Sequence, residues 1–137
     1  MDKIVLSGFA DEISSSLDRQ IQVLKKLGIS HMEIRGVEKK GIDTYTTEEV
    51  KEIKGKLDDQ GIAISSLASP IGKINIKDNF TPHLEHFKHV AELAHVLNTR
   101  YIRMFSFFMP EGEEPDGYKE TVFEQLDRLI RVGKSRM

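Results

Sequence analysis

The sequence predicts an α/β chain: four strand–helix units, (β/α)4, making half of a TIM-type (β/α)8 barrel, with parallel strands in the order 1-2-3-4 and the helices on the outer face. Three observations carry this. Short apolar runs of strand character alternate four times with stretches whose apolar residues recur at helical spacing, at a repeat of about 30 residues. The joints resemble one another: Leu27-Gly28 precedes Met32-Glu33-Ile34, and Leu97-Asn98 precedes Ile102-Arg103-Met104. The loop after the first strand, Gly8-Phe9-Ala10-Asp11-Glu12, lacks the glycine fingerprint of a dinucleotide-binding open sheet, and no phosphate-cradling glycine-lysine loop occurs elsewhere. Repeated βα units imply a parallel sheet with right-handed crossovers, and of the two architectures that fit, the barrel is the better.

In order, Ile4-Val5-Leu6-Ser7 reads as the first strand. After Ser14-Ser15-Ser16, Leu17, Ile21, Leu24 and Leu27 mark a helix that Gly28 stops. His31-Met32-Glu33-Ile34-Arg35 is the second strand, and Gly36 to Tyr45 its loop. Thr46 and Glu49 form a capping-box pattern ahead of Val50, Ile53 and Leu57, and Gly61 ends that helix. Ile62 to Leu67 is the third strand, running into Ser69-Pro70-Ile71-Gly72-Lys73. Thr81-Pro82 reads as cap and first turn of a helix whose inner face holds Leu84, Phe87, Ala91 and Ala94. The fourth strand is Tyr101 to Phe108, the most apolar run and by composition a buried one. A polar, acidic loop from Pro110 to Gly117 follows, and Asp116 is placed to cap a last helix carrying Val122, Leu126 and Leu129. Gly28, Gly61 and Asn98 each suit the left-handed position just past a helix C-terminus.

Composition narrows the function classes. Lys+Arg 20 against Asp+Glu 22 leaves a net charge of -2 with no basic block, which argues against a broad nucleic-acid footprint. Cysteine is absent, so disulfides and thiolate zinc sites are excluded. No apolar run is long enough to cross a membrane, and Met1-Asp2-Lys3-Ile4 has no signal-peptide character, so the expectation is a soluble, cytoplasmic protein. Residues 1–137 read as a single partial domain, because a closed barrel of this type takes about 250 residues. The chain is then either the front half of a longer protein, the better reading, or one of two copies that close a barrel together.

Candidate site residues follow from barrel geometry, since the C-terminal ends of the strands line the mouth. Glu33, Arg35, Ser69, Lys73, Arg103 and Ser106 fall there. A guanidinium inside an apolar strand is costly without a partner, so Arg103 calls for a carboxylate or an anionic ligand. Lys73 and the arginines suit hydroxyls or a phosphate, and Ser69 and Ser106 suit hydrogen bonding. Against this stands a buried pair in which Glu33 and Arg103 neutralise each other. Asp11 and Glu12 could face the mouth, but read better as first-turn charges at a helix entry. His83, His86 and His89 lie three apart on the third helix and read as a solvated outer face. Glu111, Glu113, Glu114 and Asp116 read as a solvated loop.

The runs Met32-Glu33-Ile34-Arg35-Gly36, Ser69-Pro70-Ile71-Gly72-Lys73 and Tyr101-Ile102-Arg103-Met104-Phe105-Ser106-Phe107 resemble the sugar-phosphate isomerase/epimerase family of xylose-isomerase-like barrels. The resemblance runs along essentially the whole chain but covers only the N-terminal half of a family member. It implies a small-molecule sugar or sugar phosphate as substrate, and a divalent metal (manganese, magnesium, cobalt or zinc) assisting proton transfer next to a carbonyl. It also implies that the metal ligands and the acid/base glutamates come from strands five to eight. No metal is therefore expected on this chain alone, which is expected to lack activity without its second half-barrel or a second copy of itself. The alternative is a non-catalytic half-barrel that binds a sugar phosphate or self-associates. The related AP-endonuclease barrels fit less well, because no histidine lies in the loops after the second and third strands.

Overall fold

The structure, a computed structural model, describes residues 3–136; Met1, Asp2 and Met137, the ends of the expected 1–137 domain, lie outside them. Its elements run α1 (Leu17–Lys26), β1 (His31–Ile34), a small hairpin of β2 (Gly36–Val37) and β3 (Lys40–Gly41), α2 (Thr47–Asp59), β4 (Ala63–Ala68), α3 (Phe80–Val96), β5 (Ile102–Arg103) and α4 (Lys119–Arg136). β1, β4 and β5 form one parallel sheet in that order. Along one side, α3 packs between α2 and α4. This is the arrangement of a partial barrel, as the strand–helix alternation predicts.

Local chemistry explains the boundaries. Ser16 caps α1 by accepting from the Arg19 amide at 3.3 Å. Thr46 and Glu49 make both bonds of the capping box, at 3.2 and 2.7 Å. Gly28 (φ 70°), Gly61 (φ 70°) and Asn98 (φ 56°) take the left-handed conformation at three helix ends. One start differs: α3 begins at Phe80 with Asn79 as its cap, accepting from the Thr81 amide at 3.2 Å. Thr81-Pro82 therefore lies inside the first turn, where proline's missing N–H is tolerated. Asp116 does not cap α4 but lies in a 3-10 turn, Pro115–Tyr118, that leads into it.

The sheet's two faces differ. Met32, Ile34, Ile64 and Leu67 are buried with Leu24, Val50, Leu57, Val90, Leu93 and Leu129 in one core. Glu33 and Ser66, paired in register, and Arg103, beside Ala68 one pleat further on, are only half-buried. The register shifts between Met32 and Glu33, where β4 carries one extra residue, Ser65. Ile64 and Leu67 therefore share the core face, and Glu33, Ser66 and Arg103 fall on the face away from the helices, which a closed barrel would turn inward.

Two expected strands are reduced. Of Ile4 to Ser7 only the neighbouring ladder contact forms: Phe9 bridges Glu33, and the Glu33 amide donates to the Gly8 carbonyl at 2.9 Å. Ile4, Val5 and Leu6 are exposed (87, 55 and 66%), because this segment has one strand neighbour and no packed layer over its side chains. The Tyr101–Phe108 run is not a buried strand throughout. Only Ile102–Arg103 joins the sheet, at its edge, and Tyr101 and Phe108 are exposed. Past Arg103 the run pairs with the loop after β4. The Phe105 amide donates to Ile71 O at 2.7 Å, Phe107 to Gly72 O at 2.9 Å and Phe108 to Ile74 O at 2.8 Å.

Candidate functional site

At the C-terminal end of the sheet, two loop systems meet. The first holds Arg35. Its Nε donates to Asp11 Oδ2 at 2.8 Å and its Nη2 to Asp11 Oδ1 at 2.9 Å, a bidentate fork, while Nη2 also reaches Glu12 Oε1 at 2.7 Å. The guanidinium lies 4.4 Å from the Phe9 ring centroid. These bonds raise the Arg35 pKa further above its ordinary value, Asp11 contributing most, so the guanidinium is permanently charged. Gly36 makes room for it: a Cβ there would lie 3.0 Å from Asp11 Oδ2. Asp11 and Glu12 sit in a 3-10 turn, Ala10–Glu12, and are Arg35's partners rather than free charges at a helix entry.

The second system is Ser69 to Lys73 laid against Arg103 to Phe108. Ser69 is buried and its hydroxyl is committed: Oγ donates to Arg103 O at 2.7 Å and accepts from the Ile71 amide at 3.3 Å. Arg103 returns one bond, Nη1 to Ser69 O at 3.1 Å. Pro70 to Lys73 is a tight turn closed by Lys73 N to Pro70 O at 2.9 Å, with Gly72 at φ 90° in the third position. Gly72 presses on the facing chain so closely that a Cβ would sit 1.8 Å from Phe105 O. Its amide donates to His83 Nε2 at 2.8 Å. Burial, with His86 nearby, pushes the His83 pKa below its ordinary value, which suits a neutral ring accepting at Nε2.

His83 is therefore not on a solvated face. It is buried, and its neighbours are engaged too: His86 Nε2 lies 3.0 Å from Asp43 Oδ2, and His89 Nε2 is 2.7 Å from Tyr45 O. The signal was in the spacing, since Phe80, His83, Phe87, Val90 and Ala94 form one helical stripe. In the acidic loop, Glu113 pairs with Lys77 at 3.0 Å and accepts from Tyr118 Oη at 2.8 Å, both of which lower its pKa, Tyr118 the more.

Of the six expected site residues, Arg35 and Ser69 are thus occupied by protein partners. Glu33, half-buried on the open face, and Ser106, exposed, have no side-chain hydrogen bond or ion pair among the described residues. Arg103 and Lys73 share a ring: Arg103 Cζ lies 4.7 Å and Lys73 Nζ 4.6 Å from the Phe105 centroid, and Arg103 also lies 5.9 Å from Phe9. No ion pair joins Glu33 to Arg103 within 4.0 Å among the described residues. Phe9 and Phe105, the aromatic partners of these cations, escape sequence reasoning because nothing in the run distinguishes a ring that packs from one that carries a cation. Among the described residues no group of three or more His, Asp or Glu side chains could hold a metal ion. The divalent metal that the resemblance implies does not fit this residue set.

The family model for the xylose isomerase-like TIM barrel matches residues 21–136. No curated protein matches the chain. Among solved structures, the chain is similar to the probable 3-DHS dehydratase AsbF from Bacillus anthracis, with a TM-score of 0.75 at 15% identity over 97% of this chain and 49% of that one. It is similar to a sugar phosphate isomerase/epimerase from Parabacteroides distasonis (TM-score 0.67, 20% identity, 99% and 49% covered). A D-psicose 3-epimerase from Clostridium cellulolyticum gives a TM-score of 0.69 at 12% identity, with 94% and 48% covered. At these identities the likeness shows the fold alone. The chain spans about half the length of each of these proteins.

Proposed function

This chain belongs to the xylose isomerase-like TIM barrel family, and from that premise we propose that it is the sugar-binding half of a sugar or sugar-phosphate isomerase or epimerase. The supporting observation is the polar open face of the sheet. Glu33, Ser66 and Arg103 lie on the face that a closed barrel turns inward, with Arg103 nearest the mouth beside the C-terminal end of β4, while Met32, Ile34, Ile64 and Leu67 are buried in the core with the helices. Structural neighbours that are a sugar phosphate isomerase/epimerase and a D-psicose 3-epimerase support the substrate class.

In this reading Glu33, Lys73, Arg103 and Ser106 contact hydroxyls or a phosphate. Arg35 and Ser69 act one step back, Arg35 by fixing the Phe9–Glu12 turn and Ser69 by fixing the Arg103 backbone. Proton transfer next to a carbonyl needs a positioned base and a means of stabilising the developing oxyanion. The described residues offer binding and orientation. The chain by itself is accordingly expected to bind without turning over.

Two measurements test this. NMR titration with D-fructose, D-ribose and ribose 5-phosphate should shift Glu33, Lys73, Arg103 and Ser106 and leave the outer face of α2 unmoved; no shift with any of them would refute the reading. Purified chain with manganese should show no ketose turnover above a metal-only control. A second reading, a non-catalytic half-barrel that self-associates, draws on one observation: a groove lined almost wholly by apolar surface between β5 and α4, with Ile102, Met104, Leu126 and Ile130.

A further inference from the structure

We propose that Arg103 and Lys73, gathered on the Phe105 ring, form an oxyanion subsite, so that the ligand of this mouth is an anionic sugar, phosphorylated or carboxylated, rather than a neutral one. This rests on the sugar-binding reading above and narrows it to a substrate class.

Neutralisation at the mouth is uneven. Arg35 is met by two carboxylates, Asp11 and Glu12. Arg103 and Lys73 have none within 4.0 Å among the described residues. Both cations sit over the same ring, at 4.7 and 4.6 Å, which puts them within about a Debye length (~8–10 Å) of each other. Two like charges at this range repel, and a bound anion reduces that repulsion. Glu33, the acid on the same face, lies one pleat deeper and pairs with neither.

Arg103 is also half-buried and aimed. Its Nη1 donates to Ser69 O at 3.1 Å and its Cζ lies 4.7 Å from the Phe105 centroid, which anchors one edge of the guanidinium. Its other N–H donors have no protein acceptor among the described residues. A partly desolvated guanidinium anchored at one edge, with free donors remaining, matches a carboxylate or phosphate, which can take two of them at once. The backbone beneath is held in place. Ser69 binds the Arg103 carbonyl, Gly72 abuts Phe105, and the Lys73 amide closes its own turn. Phe107 has a φ of 79°, a conformation bulky residues rarely take and one that concentrates at ligand sites.

The test is a titration of the whole chain at low ionic strength with inorganic phosphate, ribose 5-phosphate, ribonate and ribose, following the Arg103 side-chain Nε–H and the Phe105 and Lys73 amides by NMR. One or both of the anionic sugars should bind about tenfold or more tightly than ribose. A preference for ribose 5-phosphate would identify phosphate as the anion, and a preference for ribonate carboxylate. Arg103→Gln should weaken binding about tenfold or more and Lys73→Gln severalfold, while Lys51→Gln on α2 leaves it unchanged. Because Lys73 is exposed, its variant tests the proposal even if Arg103→Gln fails to fold. Ribose binding as tightly as both anions would overturn the inference and leave the sugar reading standing. Inorganic phosphate binding at these residues with none of the sugars bound would overturn the sugar reading and the inference together. Anion affinity unmoved by both substitutions, or no anion binding up to about 50 mM, would also overturn the inference.

Discussion

Gly72→Ala is the most informative single substitution in this chain. The added Cβ would lie 1.8 Å from Phe105 O, 2.3 Å from its carbonyl carbon and 2.9 Å from its Cα, all backbone atoms that no rotamer change can move. A φ of 90° adds about 1 kcal/mol or more for an L side chain. Relief requires the Pro70–Lys73 turn to separate from the Arg103–Phe108 segment. That breaks Phe105 N to Ile71 O and Phe107 N to Gly72 O, each worth about 1 kcal/mol. The expected loss is about 3–5 kcal/mol, a large share of the 5–15 kcal/mol typical of a domain, or a fall in melting temperature of about 10–20 °C. Thermal and urea unfolding of Gly61→Ala supplies the comparison, since Gly61 has φ 70° and open space where its Cβ would go, and should cost only about 1 kcal/mol. If the two substitutions cost the same within about 0.5 kcal/mol, the close approach at Gly72 carries no weight and the reasoning fails.

Further predictions concern the groups around this turn. His83 is held below its ordinary pKa of 6.5, so the unfolded chain takes up that proton first; stability should be full above pH 6.5 and fall as pH drops below it. His83→Gln keeps an acceptor for the Gly72 amide without titrating and should flatten that fall; equal pH dependence in both proteins between about pH 5 and 7 would sink the assignment. Asp11→Asn should cost about 1 kcal/mol, a modest figure because Arg35 is partly exposed, and high salt should shrink the difference. Arg35→Lys should recover little of it, since an ammonium cannot reproduce the fork, and neither change should weaken ribose 5-phosphate binding as Arg103→Gln does.

What the sequence made legible was local. The Thr46–Glu49 box, the Ser16 cap and the left-handed residues at Gly28, Gly61 and Asn98 depend on a few consecutive residues, and each appears in the structure. Strand–helix alternation placed Glu33, Lys73 and Arg103 at one end of one sheet. Pairing across distance was not legible. Arg35 finds its carboxylates 24 and 23 residues earlier, and the Gly72 amide finds His83 11 residues later. Apolar character also misled where burial depends on a neighbour. Ile4 to Leu6 and Phe105 to Phe108 have strand composition, yet the first packs under no layer and the second leaves the sheet for the Ile71–Asn75 loop.

Association is the last expectation, and it comes from the same edge. β5 ends the sheet, and beside it Ile102, Met104, Phe87, Leu126 and Ile130 line an open groove in which hardly any polar surface is found. Tyr101 on that edge is 70% exposed, and Phe123 and Ile130 on α4 are each 55% exposed. Covering apolar surface is worth about 2.5 kcal/mol per 100 Å², so a few hundred Å² matches the whole stability of a small domain. The edge also presents backbone donors and acceptors that a second strand can pair. Two copies meeting at β5 would satisfy both demands, and the expected outcome is a dimer or larger species at tens of micromolar. Ile130→Lys, which puts a charge at an exposed position of the groove lining, should shift the chain toward monomer. Light scattering decides it: a monodisperse native monomer that unfolds cooperatively at that concentration would show that the groove is tolerated in water.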